Sequence, residues 1–223
     1  MAGSFIRKAF VVSVAAALAA LCFASAAAAD KERIHLTAAG KTAARAAVLQ
    51  RADLGGATGW TGRATKPDLS STPACPGFDP KQSDLVLIGA AETVWKHAGI
   101  EFDSEAQVLQ TPKMVHLDWQ RTVLAPPVAT CLRAGLVKQL PASERLVSFK
   151  RLAFPRVATY TRAYRALLDV KTASSTVRVM ADTAVFGRGR TELTLTTIAQ
   201  LAAEPAVAAA EVRLARVLVS RAS

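Results

Sequence analysis

Apolar positions fall at helical spacing near both ends of the chain and at a spacing of two between them. Leu36, Ala39, Ala43, Ala47 and Leu54 share one helical face, which Gln50 interrupts and from which Val48 and Leu49 diverge. Thr37 stands where a capping hydroxyl belongs, and Gly55-Gly56 follow where a left-handed residue ends a helix. The spacing therefore predicts a helix over Leu36 to Leu54. Beyond Pro80, "DLVLIGAAETVWKH" and "IEFDSEAQVLQ" read as two strands joined in a hairpin at Ala98-Gly99. Thr111-Pro112 reads as a cap with proline at the first helical position, and Val115, Trp119 and Val123 then share a face. Pro126-Pro127 must break that helix, because proline lacks an amide donor, and a shorter helix restarts over Val128 to Leu136.

The second half predicts three or four further strands. "RLVSFKRLAF" and "VATYTRAYRALLDVK" form one interrupted strand or two, with Pro155 at an edge or bend. "TVRVMADTAVF" and "TELTLTTIAQL" flank a "GRGR" turn, and Thr191, Leu193, Leu195 and Thr197 alternate with their neighbours. Val207, Ala210, Leu214 and Val217 mark a closing helix over Glu204 to Ser223, with Arg213, Arg216 and Arg221 toward its C-terminal end, where the helix dipole favours cations. Strands grouped as hairpins rather than alternating singly with helices point to the α+β class, an antiparallel sheet of about five strands packed by helices.

The N-terminus changes the compartment. Arg7 and Lys8 precede an uncharged run from Ala9 to Phe23, and "SAAAA" precedes Asp30. That is the layout of a secretory signal peptide, 1–29, cleaved after Ala29 or near Ala26. The run is shorter than the roughly 20 residues of a membrane span, and no transmembrane anchor is expected later. Lipidation at Cys22 is the alternative, opposed by the bulky Leu21 before it. What remains, 30–223, is expected to be a single secreted α+β domain, with Cys75 and Cys131 as its cysteines. In an oxidising compartment an even pair reads as a disulfide, worth on the order of 4 kcal/mol for so long a loop, with two buried free thiols as the alternative. The net charge is +11, of which Arg7 and Lys8 supply two. A basic exported chain favours anionic partners: wall polymers, lipid headgroups or acidic glycans, rather than nucleic acid.

Little chemistry has a signature. In "ADLGGATGWTG" the glycines follow a helix rather than a strand, and "RATKPDLSSTPACPGFDP" comes next, so the stretch reads as a helix stop and turn, with Trp60 as an apolar anchor, rather than a phosphate loop. No nucleophile elbow, zinc-binding histidine pair or Walker loop occurs, and neither a metal nor a cofactor is expected. His35, His97 and His116 lack partners identifiable by spacing. Glu101, Asp103 and Glu105 alternate on the second strand and are expected on a solvated sheet face, with a carboxylate patch for a cation or sugar as the alternative. Tyr160, Arg162 and Tyr164 share one strand face, where rings and a guanidinium can grip an anionic group or a glycan, or simply pack under a helix.

Together, "LQRADLGGATGW", "PACPGF", "SDLVLIGAAETVW", "DSEAQVLQT", "DWQRTVLAPPVATCL" and "AYR" resemble a group of secreted proteins from high-GC Gram-positive bacteria. These are similar in organisation to PknH-type extracellular sensor domains and to small envelope lipoproteins with a PsbP-like α/β/α sandwich. From the residue pattern alone, Trp119, Tyr160, Arg162 and Tyr164 are the candidate ligand-binding residues. The resemblance implies a secreted or envelope-associated, non-enzymatic domain that binds a ligand or partner between sheet and helix. It transfers no catalytic residue, and the one expected disulfide departs from the two usual in the sensor domains. The alternatives are a secreted hydrolase using His97 or His116 and a structural envelope protein held by charge.

Overall fold

Thr37 closes an extended stretch, and its hydroxyl accepts from the Gly40 amide at 3.0 Å, which starts the first helix. The computed structural model describes residues 31–55, 58–67, 69 and 78–222. The expected signal peptide, Cys22 and Cys75 lie outside the described residues. In chain order the elements are β1 (Arg33–Ile34), α1 (Ala38–Ala47), β2 (Thr61–Thr65), β3 (Val86–His97), β4 (Ile100–Leu109), α2 (Pro112–Asp118), α3 (Val128–Gln139), β5 (Glu144–Arg151), β6 (Tyr160–Lys171), β7 (Thr176–Arg188), β8 (Thr191–Gln200) and α4 (Glu204–Arg221).

The strands form one sheet of eight, ordered β1-β3-β4-β8-β7-β6-β5, with β2 also beside β3. All pairings are antiparallel except the two-residue β1 against β3. The α+β class is as expected, but about five strands was too few. "RLVSFKR" and "YTRAYRALLDVK" are separate strands, and β1 and β2 lie in segments too short or too polar to show alternation.

Helices cover both faces. Ala44 and Ala47 of α1 and Leu214, Ala215 and Leu218 of α4 pack with Ala106, Leu193, Leu195 and Phe186. Residues of opposite parity meet the other helices: Val115 and Trp119 pack with Leu87 and Leu109, and Leu136 of α3 with Ala166, Leu168 and Ile198. Glu101 to Leu109 and Thr191 to Ala199 are consequently buried without a break. The solvated face expected for Glu101, Asp103 and Glu105 is therefore overturned: their relative exposures are 1%, 8% and 8%.

The first helix ends earlier than its periodicity predicts. Val48 is extended, which turns Val48 and Leu49 into the core instead of off the stripe, while Leu36 is exposed. A 3₁₀ turn over Arg51–Leu54 follows, its Asp53 carboxylate closing back on the Gln50 amide at 2.7 Å and pairing with Arg221 of α4. Further along, Thr111 caps α2 with Pro112 in its first turn. Past Asp118 the helix widens into a π turn, Trp119–Val123, closed by Leu124 N–H to Trp119 O at 2.8 Å, before the two prolines and α3. Cys131 is buried on α3. Among the described residues no helix is long and apolar enough to cross a membrane.

Gly40 and Gly89 set how closely α1 approaches the sheet. A Cβ on Gly40 would lie 2.1 Å from the Ile88 carbonyl oxygen, and one on Gly89 2.0 Å from that of Gly40. Alanine in place of a helical glycine ordinarily stabilises by about 0.5–1 kcal/mol. Here Gly40→Ala is expected to destabilise by about 1–3 kcal/mol through overpacking, read as a lower urea midpoint at unchanged slope; an equal or higher midpoint would refute the backbone-to-backbone contact.

Candidate functional site

Strand alternation places Tyr160, Arg162 and Tyr164 on one face of β6, but they acquire different neighbours. Tyr160 stacks on the buried Trp119, with centroids 5.1 Å apart and planes at 23°, and its hydroxyl lies 2.7 Å from His116 Nδ1. Gly187, across from Tyr160 on β7, leaves room for this stack, since a Cβ there would come within 2.7 Å of Trp119 Nε1. Trp119 and Tyr160 thus brace α2 against the sheet. Arg162 and Tyr164 instead line an open cleft of about 460 Å³.

The cleft lies between the turn after α2, the first turn of α3 and strands β5 and β6. Val123, Leu124, Ala125, Pro126 and Val128 give it an apolar side. Phe149 stacks on Tyr164 at 5.5 Å with planes 11° apart. Tyr164 is matched across the strands with Arg151, and Arg162 follows on the same face of β6. Burial pushes the Tyr164 hydroxyl above its ordinary value, and the charges of Arg162 and Arg151 pull against it. Arg133 of α3 also lines the cleft. Lys150 does so too, although strand alternation turns its side chain toward the opposite face. No carboxylate is among the described residues that line it. The Arg162 Nε is buried and has no hydrogen-bond partner.

Other arginines are matched. Arg165 reaches both oxygens of Asp182 at 2.7 and 2.6 Å and pairs with Glu204. Arg121 grips Asp84 at 2.6 and 3.1 Å and holds its carboxyl below the usual range. Arg145 and Arg178 share Asp169 at 2.7 and 2.9 Å.

The remaining carboxylates are interior. On β4, burial, then Glu92 and Glu101, push Asp103 up to about 8, while Lys96, 2.7 Å from Glu101, acts in the opposite sense. Glu192 is raised well above the carboxylate range by burial and by Asp118, to which it is hydrogen-bonded. Asp118 also accepts from Gln82 at 3.0 Å and from the Thr122 hydroxyl at 3.1 Å. Under α4, burial, then Asp182, raise Glu211.

The other expected sites have plain surroundings. Gly55, left-handed at φ 77°, ends the 3₁₀ turn, and β2 follows the glycine stretch, which is the order of a turn and not of a phosphate loop. The His97 ring lies 5.2 Å from Trp60, and Trp60 stacks on Phe102. Among the described residues no group of three His, Cys, Asp or Glu side chains is arranged to hold a metal ion.

The cleft was only half legible in the sequence. Arg151, Phe149 and Arg133 were not singled out, because their approach to Arg162 and Tyr164 depends on the β5–β6 register and the placement of α3. The available signal was "SFKR" opposite "AYRA", two cationic and aromatic strands close enough in sequence to pair as a hairpin.

No protein-family model matches the chain, and neither does any curated protein. Solved structures similar to it include the extracellular domain of PknH from Mycobacterium tuberculosis, 8% identical with a TM-score of 0.40, covering 79% of this chain and 95% of that one. An uncharacterized protein from Mycobacterium smegmatis, the Rv0999 ortholog, is 13% identical with a TM-score of 0.39, covering 78% and 97%. LpqN of M. tuberculosis, involved in cell envelope biogenesis, is 14% identical with a TM-score of 0.30, covering 70% and 82%. The neighbours are thus of the kind that the sequence resemblance named.

The buried acids make stability depend on pH in the direction opposite to ordinary carboxylate pairs. Asp103 has a folded value of about 8 against 3.8 for the free group. Between those values the folded state keeps a proton that the unfolded state has released, so its contribution is complete below about pH 4 and is lost as pH rises toward 8. The melting temperature is expected to fall from pH 5 to pH 8, and Asp103→Asn to flatten the slope. A melting temperature that rises over that interval would show the acids to be ionised in the fold.

Proposed function

We propose that this chain is an exported, non-enzymatic domain of the cell envelope that holds a ligand in the cleft between α3 and the β5–β6 edge. The observation that supports this most is the Arg162 guanidinium, set beside Tyr164 in an open cavity with its Nε buried and unpartnered. A buried donor without an acceptor costs about 1–3 kcal/mol, which a ligand oxygen would recover on binding. The volume falls within the roughly 300–1,000 Å³ typical of small-molecule sites. Export rests on the N-terminal charge and hydropathy layout. Cys131 is buried, and its pairing with Cys75 as the one disulfide of an exported chain is part of this reading.

Thermal denaturation of the purified protein across envelope lipids, acidic glycans and wall polymers tests the reading. At least one class is expected to raise the melting temperature by a few degrees, and the shift should disappear in Arg162→Gln and shrink in Arg133→Gln, a substitution at an exposed position. No shift from any class, or an undiminished shift in both variants, would refute a ligand in this cleft. Thiol labelling of the native protein is expected to find neither Cys75 nor Cys131 reactive, and reduction to lower stability by on the order of 4 kcal/mol; labelling of both sulfurs without reductant would remove the bridge.

A further inference from the structure

The two sides of the cleft differ in chemistry, and the difference narrows the ligand. Cations enter from three separate elements, Arg133 from α3, Arg151 from β5 and Arg162 from β6, and no carboxylate among the described lining residues answers them. This contrasts with Arg121, Arg165 and Arg221, each of which is set against an aspartate. Mutual repulsion of the cleft cations is tolerated only weakly in a fold, and an oxyanion between them would relieve it. The first turn of α3 faces the same space through Val128, Ala129 and Thr130, and no side chain caps it, so the amides of Ala129 and Thr130 add to the attraction for a negative group, that of Val128 being donated to the Ala125 carbonyl.

Apart from Thr130, the segment from Val123 into the first turn of α3 lines the cleft with apolar side chains. Val123, Leu124, Ala125, Pro126 and Val128 form a continuous apolar run at the mouth, with Leu124 38% exposed, and the Phe149–Tyr164 stack lies beside it. A free inorganic anion would leave this surface in water. A neutral glycan would leave the arginines unanswered and find neither carboxylate nor amide side chains for its hydroxyls among the described lining residues.

Resting on the cleft reading above, we infer that the ligand is an amphiphile with an oxyanion head, phosphate or carboxylate, held by Arg162, Arg151 and Arg133, and an alkyl segment laid along Val123 to Val128. The head is shared by membrane phospholipids, free fatty acids and soluble alkyl phosphates. Monomeric probes report that chemistry, and vesicles of anionic phospholipid distinguish extraction from a bilayer from capture out of solution.

Titration calorimetry of the purified protein with inorganic phosphate and with dodecyl phosphate, laurate and dodecyl maltoside, the three amphiphiles each below its micelle concentration, separates the parts. Dodecyl phosphate or laurate is expected to bind at one site, at least about ten-fold tighter than dodecyl maltoside or inorganic phosphate. Arg162→Gln and the exposed Arg133→Gln should each reduce that preference, while circular dichroism confirms the fold. Equal binding of dodecyl maltoside would overturn the anionic head and leave a cleft ligand standing. Equal binding of inorganic phosphate would overturn the alkyl segment. Absence of binding by every probe, together with no thermal shift from any envelope fraction, would bring down the cleft reading itself.

Discussion

The pairing of β4 with β8 is the constraint from which the rest of the structure follows. Residues Glu101 to Val108 are matched one for one with Ile198 to Thr191, joining the early hairpin to the later meander across some ninety residues of chain. Such a junction brings a large loop-closure cost before it returns any contact. It is offset by burial on both faces: α1 and α4 close one side, and α2 and α3 the other. Every residue matched in this pairing is therefore interior, whatever its chemistry.

That placement divides the charges of a basic protein. Glu101, Asp103, Glu105 and Glu192 occupy the central strands, where they are buried and so withdrawn from the surface, and burial raises the carboxyls of Glu101, Asp103 and Glu192. The peripheral strands β5 and β6 receive the arginines. Asp169 neutralises Arg145 and Arg178 on the face opposite the cleft, which leaves Arg151 and Arg162 with no carboxylate on theirs among the described lining residues. The cationic cleft is thus a consequence of where the sheet centre lies, and not of any run of like charges in the chain.

Local signals in the sequence are legible because their causes are local. Thr111-Pro112 caps a helix wherever it occurs, Ala98-Gly99 turns a hairpin through two positive φ angles, and Pro126-Pro127 stop a helix by lacking donors. The failures concern features that only the folded sheet determines. Val48 and Leu49 looked misplaced on a continuing helix, yet they enter the core because the chain straightens at Val48. Glu101, Asp103 and Glu105 alternate like a solvated strand, and only the second helical layer buries them. Of the proposed cleft, Arg162 and Tyr164 come together by alternation along one strand; Trp119 and Tyr160 lie on the same face but belong to a stack that anchors α2. Arg151, Phe149 and Arg133 depend on register and helix placement, which composition does not encode.

The central claim is that the α3–β5–β6 cleft is a binding site for an anionic group. Two-dimensional amide NMR of the protein titrated with monomeric dodecyl phosphate tests it residue by residue. The expected result is saturable shifts confined to Phe149, Arg151, Arg162, Tyr164 and the first turn of α3. Shifts scattered over the basic surface, or centred instead near Trp60 and His97, would contradict it.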